Sequence, residues 1–144
     1  MMGCQNMKLE FEARSENEEF ARVVTAVFMS RLNPTLEEID DVKTAVSEAV
    51  TNAVIHGYRG QEGKICLELS AEDGEKRRLS VSVKDQGVGI ADINQAMEPM
   101  FTTDLSGERS GMGFSFMEAF MDQVNVESEP GRGTSVFMIK YIGR

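Results

Sequence analysis

Glu48-Ala-Val-Thr-Asn52-Ala-Val-Ile-His56 places a carboxylate, a carboxamide and an imidazole four residues apart in an otherwise apolar run. At about 3.6 residues per turn, each step of four advances roughly 40° around a helix axis, so the three side chains form one ridge. Thr35 and Glu38 have capping-box spacing after Asn33-Pro34, and Gly57 is expected to end the helix in the left-handed conformation. Val42, Val46, Ala49 and Ala53 recur at helical spacing as the buried stripe. The ridge lies about a quarter turn from that stripe, on the flank between core and water, where clefts are lined. Taken alone, the ridge also reads as solvated edge residues, with His56 capping the last carbonyls.

The remaining chain narrows the choice. Its 144 residues, 41% of them hydrophobic, fit one domain with a core, and no repeat or low-complexity run appears. Acidic residues outnumber basic ones by 24 to 15, a formal charge of −9, which argues against a nucleic-acid surface because phosphate binding needs clustered Lys and Arg. Cys4 and Cys66 have neither metal-ligand spacing nor a disulfide framework. The opening MMGCQNMKLEFEA lacks the apolar core of a secretory signal, and no segment is long enough to span a membrane. A cytoplasmic protein with protein or small-ligand partners is expected.

Along the chain, Lys8 to Ala13 alternates as a strand with Leu9 and Phe11 on one face. Ser15 and Glu18 have the spacing of a second capping box, predicting a helix to about Leu32 with Phe20, Val23, Val24 and Val27 inward. After the ridge helix, Lys64 to Ser70 and Leu79 to Asp85 alternate as a hairpin. A short helical segment is expected around Ile93 to Met97, then a long loop from Glu98 to Gly113, a helix from Phe114 to Val124, and a hairpin of Val124 to Glu129 with Thr134 to Tyr141 about the turn PGRG. The order β-α-α-β-β-α-α-β-β predicts an α+β fold, a two-layer α/β sandwich with one mixed sheet covered on one face by helices.

Three further segments carry chemistry. Asp85-Gln-Gly87-Val-Gly89 ends a strand with a carboxylate, which only accepts hydrogen bonds and so suits an exocyclic amine such as adenine N6, and its glycines let backbone approach a flat ring. It is also compatible with a plain turn. Arg109-Ser110-Gly111-Met112-Gly113-Phe114 leads into a helix whose free N–H groups suit phosphate oxygens, although the glycines could simply articulate a loop. Met97, Met100, Met112, Met117 and Met121 crowd this region and read as pliable packing. Pro130-Gly131-Arg-Gly133-Thr134 reads first as a hairpin turn. There is no P-loop pattern, and Asp92 and Phe116 stand where a third dinucleotide-binding glycine belongs.

In order, the ridge helix, Asp85-x-Gly87-x-Gly89, Phe101-Thr102-Thr103, Arg109 to Gly113 and Gly131-x-Gly133-Thr134 resemble the N, G1, F, G2 and G3 boxes of the GHKL ATPase superfamily containing gyrase, Hsp90, histidine kinases and MutL. More narrowly, ARSENEEFARV, VSEAVTNAVIHGY, PMFTT and ERSGMGF resemble the anti-sigma F factor family of spore-forming bacteria over nearly the whole chain. His56 is the only histidine, and no dimerisation helix pair bearing a phosphoacceptor histidine precedes the boxes, so an autophosphorylating kinase is not expected.

That resemblance implies a single ATP-binding serine-kinase domain over residues 1–144, working as a homodimer with ATP/ADP and Mg2+. Asn52 would supply oxygen to Mg2+, Glu48 would act as general base and Arg109 would stabilise transferring charge. Asp85 would read adenine with Thr134 assisting, while His56, Gly57, Gly87, Gly89, Thr102, Thr103, Ser110, Gly111, Met112, Gly113 and Phe114 would line the nucleotide. The implied partners are sigma factor F, contacted through Glu18 and Arg22, and an anti-anti-sigma protein whose serine accepts the phosphoryl group. Glu18 and Arg22 read otherwise as a surface i,i+4 ion pair. A general-stress anti-sigma B-type kinase and a nucleotide-gated binding module without catalysis remain open as alternatives.

Overall fold

A computed structural model describes residues 3–59, 61–89 and 113–143. The chain runs β1 (Gly3–Glu12), α1 (Glu16–Met29), a 3-10 turn (Ser30–Leu32), α2 (Leu36–Asn52), a π turn (Ala53–Gly57), β2 (Lys64–Asp73), β3 (Arg77–Asp85), α3 (Gly113–Phe120), β4 (Gln123–Glu129) and β5 (Gly133–Ile142). The predicted helix at Ile93 to Met97 and most of the loop from Glu98 to Gly113 lie outside the described residues.

The strands form one sheet in the order β1-β2-β3-β5-β4. Every described pairing is antiparallel, which corrects the expected mixed sheet. Parallel neighbours require a crossover that returns the chain to the opposite end of the sheet. Here the excursion through α1 and α2 returns to the end where β1 finishes, as the bond from Ala13 N–H to Gly63 O (2.9 Å) records. Alternation sends Ile65, Leu67, Leu69, Leu79, Val81, Val83, Val136 and Met138 to the inner face, where they are buried against the helices.

The Thr35 box forms in full: Glu38 N–H donates to Thr35 Oγ1 (3.1 Å) and Thr35 N–H to Glu38 Oε1 (2.8 Å). Val42, Val46, Ala49 and Ala53 are buried as expected. The Ser15 box does not form. Ser15 already has helical dihedrals (φ −57°, ψ −35°), which turn its hydroxyl away from the first-turn amides, and the Glu18 carboxylate instead accepts from the Ser47 hydroxyl on α2.

The inward face of α1 also differs from expectation. Ala21, Thr25, Phe28 and Met29 are buried, whereas Phe20 (69% exposed), Val23 and Val27 (67%) face outward. Small residues at 21 and 25 let the helix lie close to its neighbours, and the Thr25 hydroxyl is satisfied by Ala21 O at 2.7 Å. Helix α3 stops at Phe120, earlier than the predicted Val124, because the sheet edge takes over. Lys140 Nζ donates to Phe120 O (2.7 Å), Asp122 N–H donates to Ile139 O (2.8 Å), and the Asp122 carboxylate accepts from Tyr141 N–H (2.7 Å).

Candidate active site

The parity that buries Leu79, Val81 and Val83 puts the next inward side chain, Asp85, at the inner end of β3. Its Oδ1 accepts from Gly87 N–H (2.9 Å) and from Thr134 N–H at the start of β5 (3.3 Å). Oδ2 takes no bond from a described residue. Burial pushes the carboxyl above the ordinary aspartate value, and the two N–H bonds pull it only part of the way back.

Three segments converge around this carboxylate at backbone distance. A Cβ on Gly57 would lie 3.0 Å from Asp85 Cγ, one on Gly87 would lie 2.1 Å from Gly57 O, and one on Gly133 would lie 2.1 Å from Asp85 O. Val88 N–H donates to Gly57 O (2.8 Å) and Gly131 N–H to Val88 O (2.7 Å), lacing the end of the ridge helix to the loop after β3 and to the β4–β5 turn. Gly89 and Gly133 have φ of 77° and 97°, which a side chain would strain. Ser128 Oγ lies 2.8 Å from Thr134 Oγ1 and donates to Gly133 O (3.0 Å), fixing the third segment.

Glu48, Asn52 and His56 are all half-buried, on the flank the spacing predicts. Gly57 is not the left-handed residue expected there; that conformation falls on Arg59 (φ 52°). The helix instead ends in a π turn closed by Tyr58 N–H to Ala53 O, an i→i+5 bond of 2.9 Å. Gly57 is needed for proximity to Asp85, not for a cap. Nine residues at about 1.5 Å rise put Glu48 roughly 13 Å along the axis from Gly57 and its contact with Asp85. Asn52 lies between those two ends.

Gly113 opens α3, and Phe114 packs against the core beside buried Met117 and Met121, in line with the methionines acting as packing. Thr102, Thr103, Arg109, Ser110, Gly111 and Met112, with Met97 and Met100, lie outside the described residues. Glu18 and Arg22 form their i,i+4 ion pair (3.6 Å) on α1, apart from the Asp85 cluster. Sequence reasoning passed over Ser128 and Tyr58. Only the position of Tyr58 directly after Gly57 hinted at it.

The glycine-walled carboxylate on an antiparallel sheet backed by helices lies within residues 11–140, which match the profile of the histidine kinase-like ATPase domain, and the chain belongs to that class. Among solved structures, the RsbU and RsbW domains of a Mycobacterium tuberculosis protein superimpose with a TM-score of 0.69 at 20% identity, over 97% of this chain and 33% of that one. The catalytic domain of the histidine kinase ThkA gives 0.54 at 19% identity, over 93% and 95% of the two chains. Both likenesses speak for the fold. The anti-sigma F factor of Clostridium acetobutylicum is 57% identical over 134 residues, 93% of this chain and 92% of the relative. That of Geobacillus kaustophilus is 52% identical over 139 residues, 96% and 93% of the two. The chain belongs to the anti-sigma F factor family.

Proposed function

We propose that this chain, as a single ATP-binding serine-kinase domain over residues 1–144, holds the sporulation sigma factor F inactive as a homodimer and phosphorylates a serine of its anti-anti-sigma antagonist. The observation that carries the nucleotide part is the Asp85 carboxylate, bonded through Oδ1 and without a described donor at Oδ2, within glycine walls a Cβ would fill. An acceptor-only group walled by glycine backbone fits the exocyclic amine of adenine. Asn52 offers the hard oxygen that Mg2+ prefers, so it would hold that ion beside the phosphates, where the ion supplies charge neutralisation.

Glu48, one turn before Asn52, takes the proton of the attacking serine hydroxyl as that oxygen bonds to the γ-phosphorus. The bond from γ-phosphorus to the β–γ bridging oxygen breaks, and ADP leaves. Asp85 orients the purine, with Thr134 fixing the carboxylate through its N–H. His56, Gly57, Gly87, Gly89, Gly113 and Phe114 line the nucleotide in this reading, and Arg109, Ser110, Gly111, Met112, Thr102 and Thr103 complete it around the phosphates. On α1, Phe20, Val23 and Val27 form an exposed apolar stripe, a composition suited to a protein partner, while the Glu18–Arg22 pair of the proposed sigma contact sits on a different side of the helix, toward α2.

Incubation with ATP, Mg2+ and the candidate antagonist, followed by mass spectrometry of its serines, tests the reaction. One phosphoserine that depends on both ATP and Glu48 is expected. No phosphoserine from protein that binds ATP would refute the kinase assignment and leave a nucleotide-gated binder.

A further inference from the structure

The π turn at the end of α2 delivers a group that the chemistry above does not use. In the β2–β3 ladder Ile65 stands opposite Asp85, so the next antiparallel pair would be Lys64 with Gln86. That rung does not close directly. The Tyr58 hydroxyl sits in it, donating to Lys64 O (2.5 Å) and accepting from Gln86 N–H (2.8 Å). A phenol has one donor and free lone pairs, so both bonds coexist.

The ring is held as firmly as its oxygen. A Cβ on Gly63 would lie 2.2 Å from it, the ring packs against the hydrophobic core, and the Tyr58 backbone is bonded on both sides, N–H to Ala53 O and carbonyl to Gln61 N–H (both 2.9 Å). Such a hydroxyl holds β2 and β3 one oxygen apart where the chain leaves the sheet. Gln86 is the residue between Asp85 and Gly87, whose N–H holds Asp85 Oδ1.

We propose that Tyr58 is a positioning residue of the nucleotide site, its hydroxyl splaying the Lys64–Gln86 rung so that the Asp85–Gly87 turn aims Oδ2 into the cleft. The inference rests on Asp85 reading the adenine amine. Tyr58→Phe keeps the ring but frees Lys64 O and Gln86 N–H to close directly, drawing the turn toward β2.

The test is equilibrium binding of a fluorescent N-methylanthraniloyl-ADP to the full chain, with amide hydrogen exchange at Gln86 in the nucleotide-free protein. Tyr58→Phe should weaken binding roughly tenfold, the scale of one or two lost hydrogen bonds, and alter Gln86 exchange. KM for ATP should rise while kcat at saturation stays within about twofold, a split that general loosening of the fold would not give. A folded Tyr58→Phe that binds within about twofold of wild type overturns this inference alone. Failure of the wild-type chain to bind the probe overturns the adenine reading and this inference together. Should Tyr58→Phe not fold, 3,5-difluorotyrosine at position 58, whose phenol ionises near neutral pH, keeps ring and oxygen. Its affinity relative to wild type should fall as pH rises through that ionisation, and a constant ratio overturns the proposal.

Discussion

Replacing Asp85 with asparagine separates the demands of the fold from those of the nucleotide. Both internal bonds end on one oxygen: Gly87 N–H and Thr134 N–H meet Oδ1, and an asparagine carbonyl there keeps both. The amide nitrogen then takes the place of Oδ2. The reverse orientation would set donor against donor twice and is disfavoured. What the fold loses is a buried negative charge. Because burial raises the folded pKa above the unfolded one, the native state binds more protons between those values, and stability declines as pH rises through the folded pKa. Nucleotide-free Asp85→Asn should therefore melt at or above the wild-type temperature at neutral pH, with the difference shrinking as pH falls toward the ordinary aspartate value.

Nucleotide binding should move the other way. A charge-assisted bond at a buried site contributes about 1.5 to 3 kcal/mol, and the substituted amide presents a donor to the adenine amine, so affinity should fall at least about tenfold and up to roughly 150-fold. Wild-type affinity should itself weaken as acid protonates Asp85. Calorimetry with ATP beside thermal melting of the same nucleotide-free preparation measures both arms. Near-native ATP affinity in the folded variant would remove Asp85 from the site, and a large fall in melting temperature without nucleotide would show that its charge serves the fold.

Glu48→Gln should lower serine phosphorylation on the order of 10²- to 10⁴-fold with ATP binding retained, and turnover within about threefold of wild type at saturating ATP would dismiss the base assignment. Gly133→Ala, forcing a Cβ toward Asp85 O at 2.1 Å in a left-handed backbone (φ 97°), should lower the melting temperature by several degrees or more and impair nucleotide binding; an unchanged melting curve would contradict the close approach. Arg22→Ala should weaken sigma-factor binding by about 2 kcal/mol while phosphorylation stays measurable, and a loss under about 1 kcal/mol in a pull-down titration would return Arg22 to an ordinary surface ion pair. The Glu38 carboxyl, raised by burial but lowered further by N–H bonds from Thr35 and Gly143, sits below the ordinary glutamate value, so its contribution is present above that value and lost as pH falls through the folded pKa. Glu38→Gln should thus destabilise at neutral pH, and chemical denaturation should show the gap to wild type closing in acid.

The strands were legible because one buried face imposes period-two alternation, and Leu79, Val81, Val83 and Asp85 keep that parity to the end of β3. The ridge on α2 was legible for the same kind of reason, since the stripe from Val42 to Ala53 fixes which flank faces the cleft. On α1 the pattern misled. That helix is apolar on two sides, and hydrophobicity cannot tell a core face from an exposed one; the small size of Ala21 and the locally bonded Thr25 decided it. Gly57 was placed at the right point for the wrong reason, because the close approach of Asp85 depends on a partner 28 positions further along the chain. Tyr58 escaped notice for a related cause: its two hydrogen bonds join strands that only the folded sheet brings together.

The outward stripe on α1 bears on the division of labour within the chain. Phe20 and Val27 stay about two-thirds exposed, so they add little to the stability of the isolated fold, and exposed apolar groups at helical spacing favour association. Covering three such side chains on a partner removes apolar surface worth about 1.5 to 3 kcal/mol for each fully buried residue before ordering costs are subtracted. Glu18 and Arg22 sit on the same helix, and Glu18 is tied to Ser47, the neighbour of Glu48 on α2. The apolar stripe would supply affinity from the outer side of α1, while Glu18, through Ser47, ties the other side of that helix to the one that carries the proposed base. Asp85 and its glycines are built from β3, β5 and the π turn, on a different set of elements. A partner can therefore grip α1 without covering Asp85 and its glycines, as the proposed pairing of sigma-factor binding with kinase activity requires.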